Sequence, residues 1–215
     1  MSDPKAVSDP KAEPDRKAEP DLKAELHRKL QDGRAALLSR LDGLSEYDRR
    51  RPMTPTGTNL LGLVKHLAGL EYGYLGESFN CPAEETLSWV DDGSIWQGAD
   101  MWARSDESSE YIIGLYQRAC AHADRVIAAL DLDAPGSVAH WPPGRRETTL
   151  GVLLIRMVGE TAHHAGHADI VRELIDGKGG PDQDDFDESG WREYLAQVQA
   201  AADAFAPGPG TQPRR

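Results

Sequence analysis

From about residue 21 to residue 205 the apolar residues recur at intervals of three and four, and no stretch alternates convincingly in the manner of a half-buried strand. Such spacing gathers apolar side chains on one face only when the backbone turns every 3.6 residues, so the expected fold class is all-α. Four long segments carry the pattern. The first runs from about Asp21 to Leu41, with Leu22, Leu26, Leu30, Leu37, Leu38 and Leu41 on its buried stripe and Gly43 just past its end. The second opens after Thr58, a suitable N-cap, and runs through NLLGLVKHLAGLEYGYLGESF. The third, from about Asp106 to Leu130, starts in the acid-rich SDESSE and carries Ile112, Ile113, Tyr116, Val126 and Ile127. The fourth runs from about Thr148 to Asp176 and stops at GKGGP, where Gly177 and Pro181 are the stop signals. A short fifth helix, from about Glu188 to Phe205, follows the acidic DQDDFDE segment.

Four long helices predict a four-helix bundle, one domain over residues 21–205. The stretch from about Asn80 to Ser105 is a long crossover between the second and third helices, and its Trp89, Trp96 and Trp102 either cover an open end of the core or line a pocket. Residues 1–20, a degenerate (D/E)P…KA repeat, and residues 206–215, APGPGTQPRR, read as disordered tails, because they bury too little apolar surface to order themselves. With 24 basic against 36 acidic residues, a net charge of −12 and no Lys/Arg cluster, the chain lacks the basic face that a nucleic-acid binder needs. No apolar run approaches the roughly 20 residues of a membrane span, and the beginning of the chain is unlike a signal peptide. With only Cys81 and Cys120, two unpaired thiols in a reducing cytoplasm are expected.

The fourth helix contains LLIRMVGETAHHAGHADIVREL. Leu153, Met157, Glu160, His164, His167, Val171 and Leu174 follow a 4-3-4-3-4-3 spacing and share one face, apolar at both ends and polar in its middle. Bundles fill such positions with Leu or Ile, and a buried charge must be paired, hydrogen-bonded or bound to a metal. Glu160 and His164 are one turn apart, close enough to grip one ion. In the second helix His66 shares its side with Gly62, Gly69 and Gly73. A helical glycine costs up to about 1 kcal/mol, so these three indicate close packing or a hollow. His66, Glu160 and His164 together make two imidazoles and a carboxylate, the pattern of a catalytic zinc with one open position and also that of the non-haem iron triad. A lone His66 would more often be a satisfied core histidine. His163 falls at the rim. His167 is a fourth ligand, a hydrogen-bond partner of a ligand or a proton carrier, the last two favoured, and it is the candidate catalytic residue. His27, His122 and His140 are expected at the surface, Cys120 in the core and Cys81 in a loop.

In NLLGLVKHLAGLEYGYLG and ETAHHAGHADIVRELIDG the chain resembles the DinB-like helical-bundle metalloproteins, in the branch similar to mycothiol-dependent maleylpyruvate isomerase, over roughly residues 22–178. The resemblance implies a four-helix bundle with a long crossover and a divalent metal on His66, Glu160 and His164. Zinc comes first, with nickel or iron as alternatives. Many relatives carry histidine where this chain has Glu160. The resemblance also implies that a low-molecular-weight thiol such as mycothiol, bound as thiolate, attacks an electrophilic small molecule by S-transfer or isomerisation. The isomerase carries a further domain that has no counterpart after the fourth helix, so S-transfer is the expected outcome. The alternatives are a hydrolase or oxygenase on the same ligands, and a metal-binding stress or partner-binding bundle without catalysis. The expected partners are the electrophile and the thiol, without nucleic acid or membrane, and a homodimer is one option for such bundles.

Overall fold

A computed structural model describes residues 21–180 and 186–206. The N-terminal tail expected over 1–20, the C-terminal tail from 207 on, and Pro181 with the opening DQDD of the acidic DQDDFDE segment lie outside the described residues. The elements in chain order are α1 (Leu22–Ser39), α2 (Glu46–Arg50), α3 (Leu60–Leu75), α4 (Ser88–Asp91), α5 (Ser109–Ala129), β1 (Pro135–Ser137), β2 (Glu147–Thr149), α6 (Leu150–Asp176) and α7 (Glu188–Asp203). The four long helices α1, α3, α5 and α6 form the bundle. α3 packs on both α5 and α6, and α6 packs also on α1. This central place explains why α3 is apolar almost all round, with Leu60, Leu61, Leu63, Val64, Leu67, Ala68 and Leu75 buried.

Side-chain caps set the helix starts. Asp21 accepts from the backbone N–H of Lys23 and Ala24, and Ser108 from that of Tyr111. For α3 the cap is Asn59, not Thr58: its side chain accepts from Gly62 N–H at 2.7 Å. Gly177, in the left-handed region at φ 76°, ends α6 where the stop signal stood. Leu22 lies exposed in the first turn of α1, outside the stripe assigned to it, while Leu30, Leu37 and Leu41 are buried.

Two features depart from the expectation of helices alone. α2 is a single turn capped by Ser45, too short for a period to register. β1 and β2 form an antiparallel hairpin with Pro135 opposite Thr149, and three-residue strands show no alternation to read. Two histidines expected at the surface are engaged instead. His122 is buried, with Nε2 2.9 Å from the Cys81 carbonyl, and His27 Nε2 lies 2.7 Å from the Asp124 carboxylate. Cys81 and Cys120 are both free thiols.

The crossover between α3 and α5 lies against α3. A side chain at Gly62 would collide with the Met101 carbonyl, and that carbonyl accepts from Asn59 Nδ2 at 3.1 Å, so the glycine marks a close approach of two backbones. Gly73, in contrast, faces open space. Trp89 is buried, and with Trp102, Lys65 and Glu107 it lines a cavity of about 300 Å³ beneath the crossover, whereas Trp96 is exposed. Trp89 therefore both covers the core and lines a pocket, Trp102 lines the pocket, and Trp96 does neither. No helix among the described residues is long and apolar enough to cross a membrane.

Candidate metal centre

The Gly62 approach carries the crossover over His66. Asp100, one residue before the close contact, is only 4% exposed and places Oδ2 2.6 Å from His66 Nδ1. That contact takes one ring nitrogen of His66 and leaves Nε2 for something else. Across the α3–α6 interface the His66 and His164 rings stand edge to face, their centroids 5.0 Å apart. His164 Nε2 lies 3.9 Å from Glu160 Oε2. One ligand atom from each of His66, Glu160 and His164 falls within 4.8 Å of the other two, a spacing that one metal ion can bridge.

Each of the three is held from its outer side. Asp100 takes His66 Nδ1. Arg156, one turn before Glu160 on α6, donates Nη2 to Glu160 Oε1 at 2.9 Å. The Arg156 guanidinium is itself stacked 4.8 Å from the Tyr74 ring centroid and 5.4 Å from that of Trp141. His167 Nδ1 lies 3.4 Å from His164 Nδ1. The far atoms of all three residues are thus engaged while Nε2 of His164 and Oε2 of Glu160 face one another. Metal-binding side chains are commonly supported in this way, because the outer bond sets both ring orientation and tautomer. Burial first, then the neighbouring His66, His167 and His163, push the His164 imidazole down from 6.5 to about 4, so at neutral pH it is uncharged and has a lone pair to give. This donor set, two imidazoles and a carboxylate with converging atoms, fits a divalent cation.

The apolar-polar-apolar face of α6 needs adjustment. Leu153, Met157, His164 and Val171 are buried as expected, but Glu160 is only partly so, and His167 and Leu174 are exposed. A 3.5-residue row drifts by about 20° per heptad on a straight helix, so by Leu174 it has turned out of the core. The buried face follows Leu154, Met157, Thr161, His164, Ala168 and Val171, and Glu160 and His167 flank it on the shoulder. His167 therefore stands outside the trio and against His164.

Sequence reading missed Arg156 and Asp100. The Arg156–Glu160 pair is legible as an i,i+4 spacing. Asp100 has no local signal, since its place over His66 depends on the path of the crossover.

A search of curated proteins finds no match. Among solved structures, the crystal structure of a conserved protein from Enterococcus faecalis superposes with a TM-score of 0.56 at 13% identity, covering 74% of this chain and 100% of the other, and so shows a shared fold. The profile of the Mycothiol-S-transferase family matches residues 25–177, which span all four bundle helices and the three convergent side chains. The chain belongs to this DinB-like mycothiol S-transferase family.

Proposed function

We propose that the protein is a metal-dependent thiol S-transferase in which His66, Glu160 and His164 hold a divalent cation, zinc in first place, beside an open position for mycothiol. The observation that carries the reading is the convergence of three ligand atoms, each steadied from outside by Asp100, Arg156 or His167. Bound there, the cation supplies Lewis acidity that favours the thiolate of a thiol at neutral pH.

The protein's own groups have separate tasks. The His164 imidazole, kept neutral by its burial, presents a lone pair in place of a proton. Glu160 contributes one negative charge, and Arg156 occupies its other oxygen so that a single oxygen faces inward. His167 is a positioning residue, holding the His164 ring through the Nδ1 contact. The acceptor is a small electrophile, and transfer forms a carbon–sulfur bond from the thiolate while the leaving group departs or the adduct takes up a proton from water.

Metal analysis of His164→Ala beside the unaltered protein tests the reading, with mycothiol and a fluorogenic electrophile as substrates. Unaltered protein is expected to hold about one divalent ion per chain and to form the thioether only with the thiol present. His164→Ala loses both. Full metal retention in that variant, or turnover without thiol, would overturn the proposal.

A further inference from the structure

We infer that His163 and His167 form a second, outer binding site for a divalent cation, and that this site loads the His66, Glu160 and His164 centre. The loading role rests on the function proposed above; the outer site itself does not.

His163 and His167 are four residues apart on α6, both exposed, with ring centroids 4.2 Å apart. Two imidazoles one turn apart on a helix are the arrangement by which helices grip zinc, and the 27-residue α6 holds them in register without any loop to order. Among the described residues no carboxylate is hydrogen-bonded to either ring. The approach is open as well: a Cβ at Gly159 or Gly166, which flank the pair, would meet nothing within 4 Å.

The link inward is the 3.4 Å contact between His167 Nδ1 and His164 Nδ1. A neutral imidazole carries one N–H, so one of these nitrogens donates and the other accepts. A cation on His164 Nε2 requires the proton on His164 Nδ1. That N–H donates to His167 Nδ1 and leaves the His167 proton on Nε2. A cation on His167 Nε2 requires the reverse, with the His164 proton on Nε2, facing Glu160. Inner and outer occupancy thus demand opposite tautomers across one hydrogen bond and cannot coexist while it is intact. An outer site that must empty as the inner one fills is suited to capture and transfer, not storage. Divalent first-row ions that favour imidazole, zinc and copper among them, are the cations such a pair takes.

The test is Zn²⁺ titration of metal-free full-length protein by calorimetry, with stopped-flow measurement of zinc uptake from a chromophoric chelator. His163→Ala, at an exposed position, is expected to keep the affinity of the tight site and to load several-fold more slowly. His66→Ala, which removes the inner site, is expected to retain weak zinc binding that the double variant His66→Ala/His163→Ala loses. Loading of His163→Ala at the unaltered rate would overturn the loading role, and absence of zinc binding in His66→Ala would overturn the outer site. If the unaltered protein shows no tight site but a weak one that His163→Ala abolishes, the outer site stands, while the inner-centre reading and the loading role fall together.

Discussion

Two of the places where the bundle takes ionisable side chains inside are built in opposite ways. In the first, Arg34 of α1 donates Nε and Nη2 to the two oxygens of Glu71 on α3, both at 2.7 Å, and Nη1 to Asp124 of α5 at 2.6 Å. Arg34 is 5% exposed and Glu71 not at all. Here donors meet acceptors within the protein and the charges face one another, so the network closes on itself and ties three helices together. In the second, His66, Glu160 and His164 bring one ligand atom each within 4.8 Å of the others, and their polar partners lie behind them. A closed network holds a fold, whereas converging ligand atoms whose residues are held from behind fit a cation. Burial alone does not separate the two cases; the direction of the polar atoms does.

The largest expected effect breaks the closed network. Glu71→Ala leaves Arg34 without its bidentate partner, and such a loss costs about 3–5 kcal/mol. Denaturant unfolding in the presence of a chelator measures it, with zinc affinity of the surviving folded protein unchanged. A cost below about 1 kcal/mol would mean that water or Asp124 already compensates Arg34, and the contrast between the two regions would lose its first half.

A smaller effect is expected behind the open set. Asp100→Asn keeps the shape but removes the charge that faces His66 Nδ1, and substitutions of this kind lower metal affinity about 10–100-fold. Competition with a chelator of known affinity reads the change directly, while unfolding in chelator should move little. Undiminished affinity would assign Asp100 to holding the crossover in place and not to the metal.

The long helices and the trio were both legible in the sequence, for related reasons. Helical period and the Glu160–His164 spacing are local properties of one segment, and the glycine and cap signals that frame the helices act within a turn. His66 required a guess about which helix faces which, and the glycines on its side supplied it, although only Gly62 proves to be a close approach. What the sequence could not show depends on chain path. Asp100 reaches His66 across 34 residues, because the crossover lies on α3 at Gly62. α2 and the hairpin are too short for any period to emerge. Glu160 and His167 sit on the shoulder of α6, and distinguishing shoulder from core needs the slow drift of a 3.5-residue row against a 3.6-residue helix.

The smallest effect concerns protons, and it sharpens the open set on its own terms. Burial and the three neighbouring imidazoles hold His164 down at about 4, against 6.5 for the free side chain. In metal-free protein at pH above 6.5 neither folded nor unfolded chain protonates this residue, so it contributes no pH dependence. As the pH falls from 6.5 toward 4 the unfolded chain takes up a proton that the folded chain refuses, and stability declines through that window. Screening by water at this partly accessible site limits the loss to about 2 kcal/mol. The measurement compares unfolding free energies of the unaltered protein and His164→Ala, both in chelator, at pH 7 and at pH 4.5. The unaltered protein should lose stability relative to the variant on acidification, because only it carries the imidazole. Parallel losses would mean that His164 is as well solvated as a surface histidine. The lone pair at neutral pH would then owe nothing to the pocket, and affinity for a cation would have to come from Glu160 and the geometry of the set.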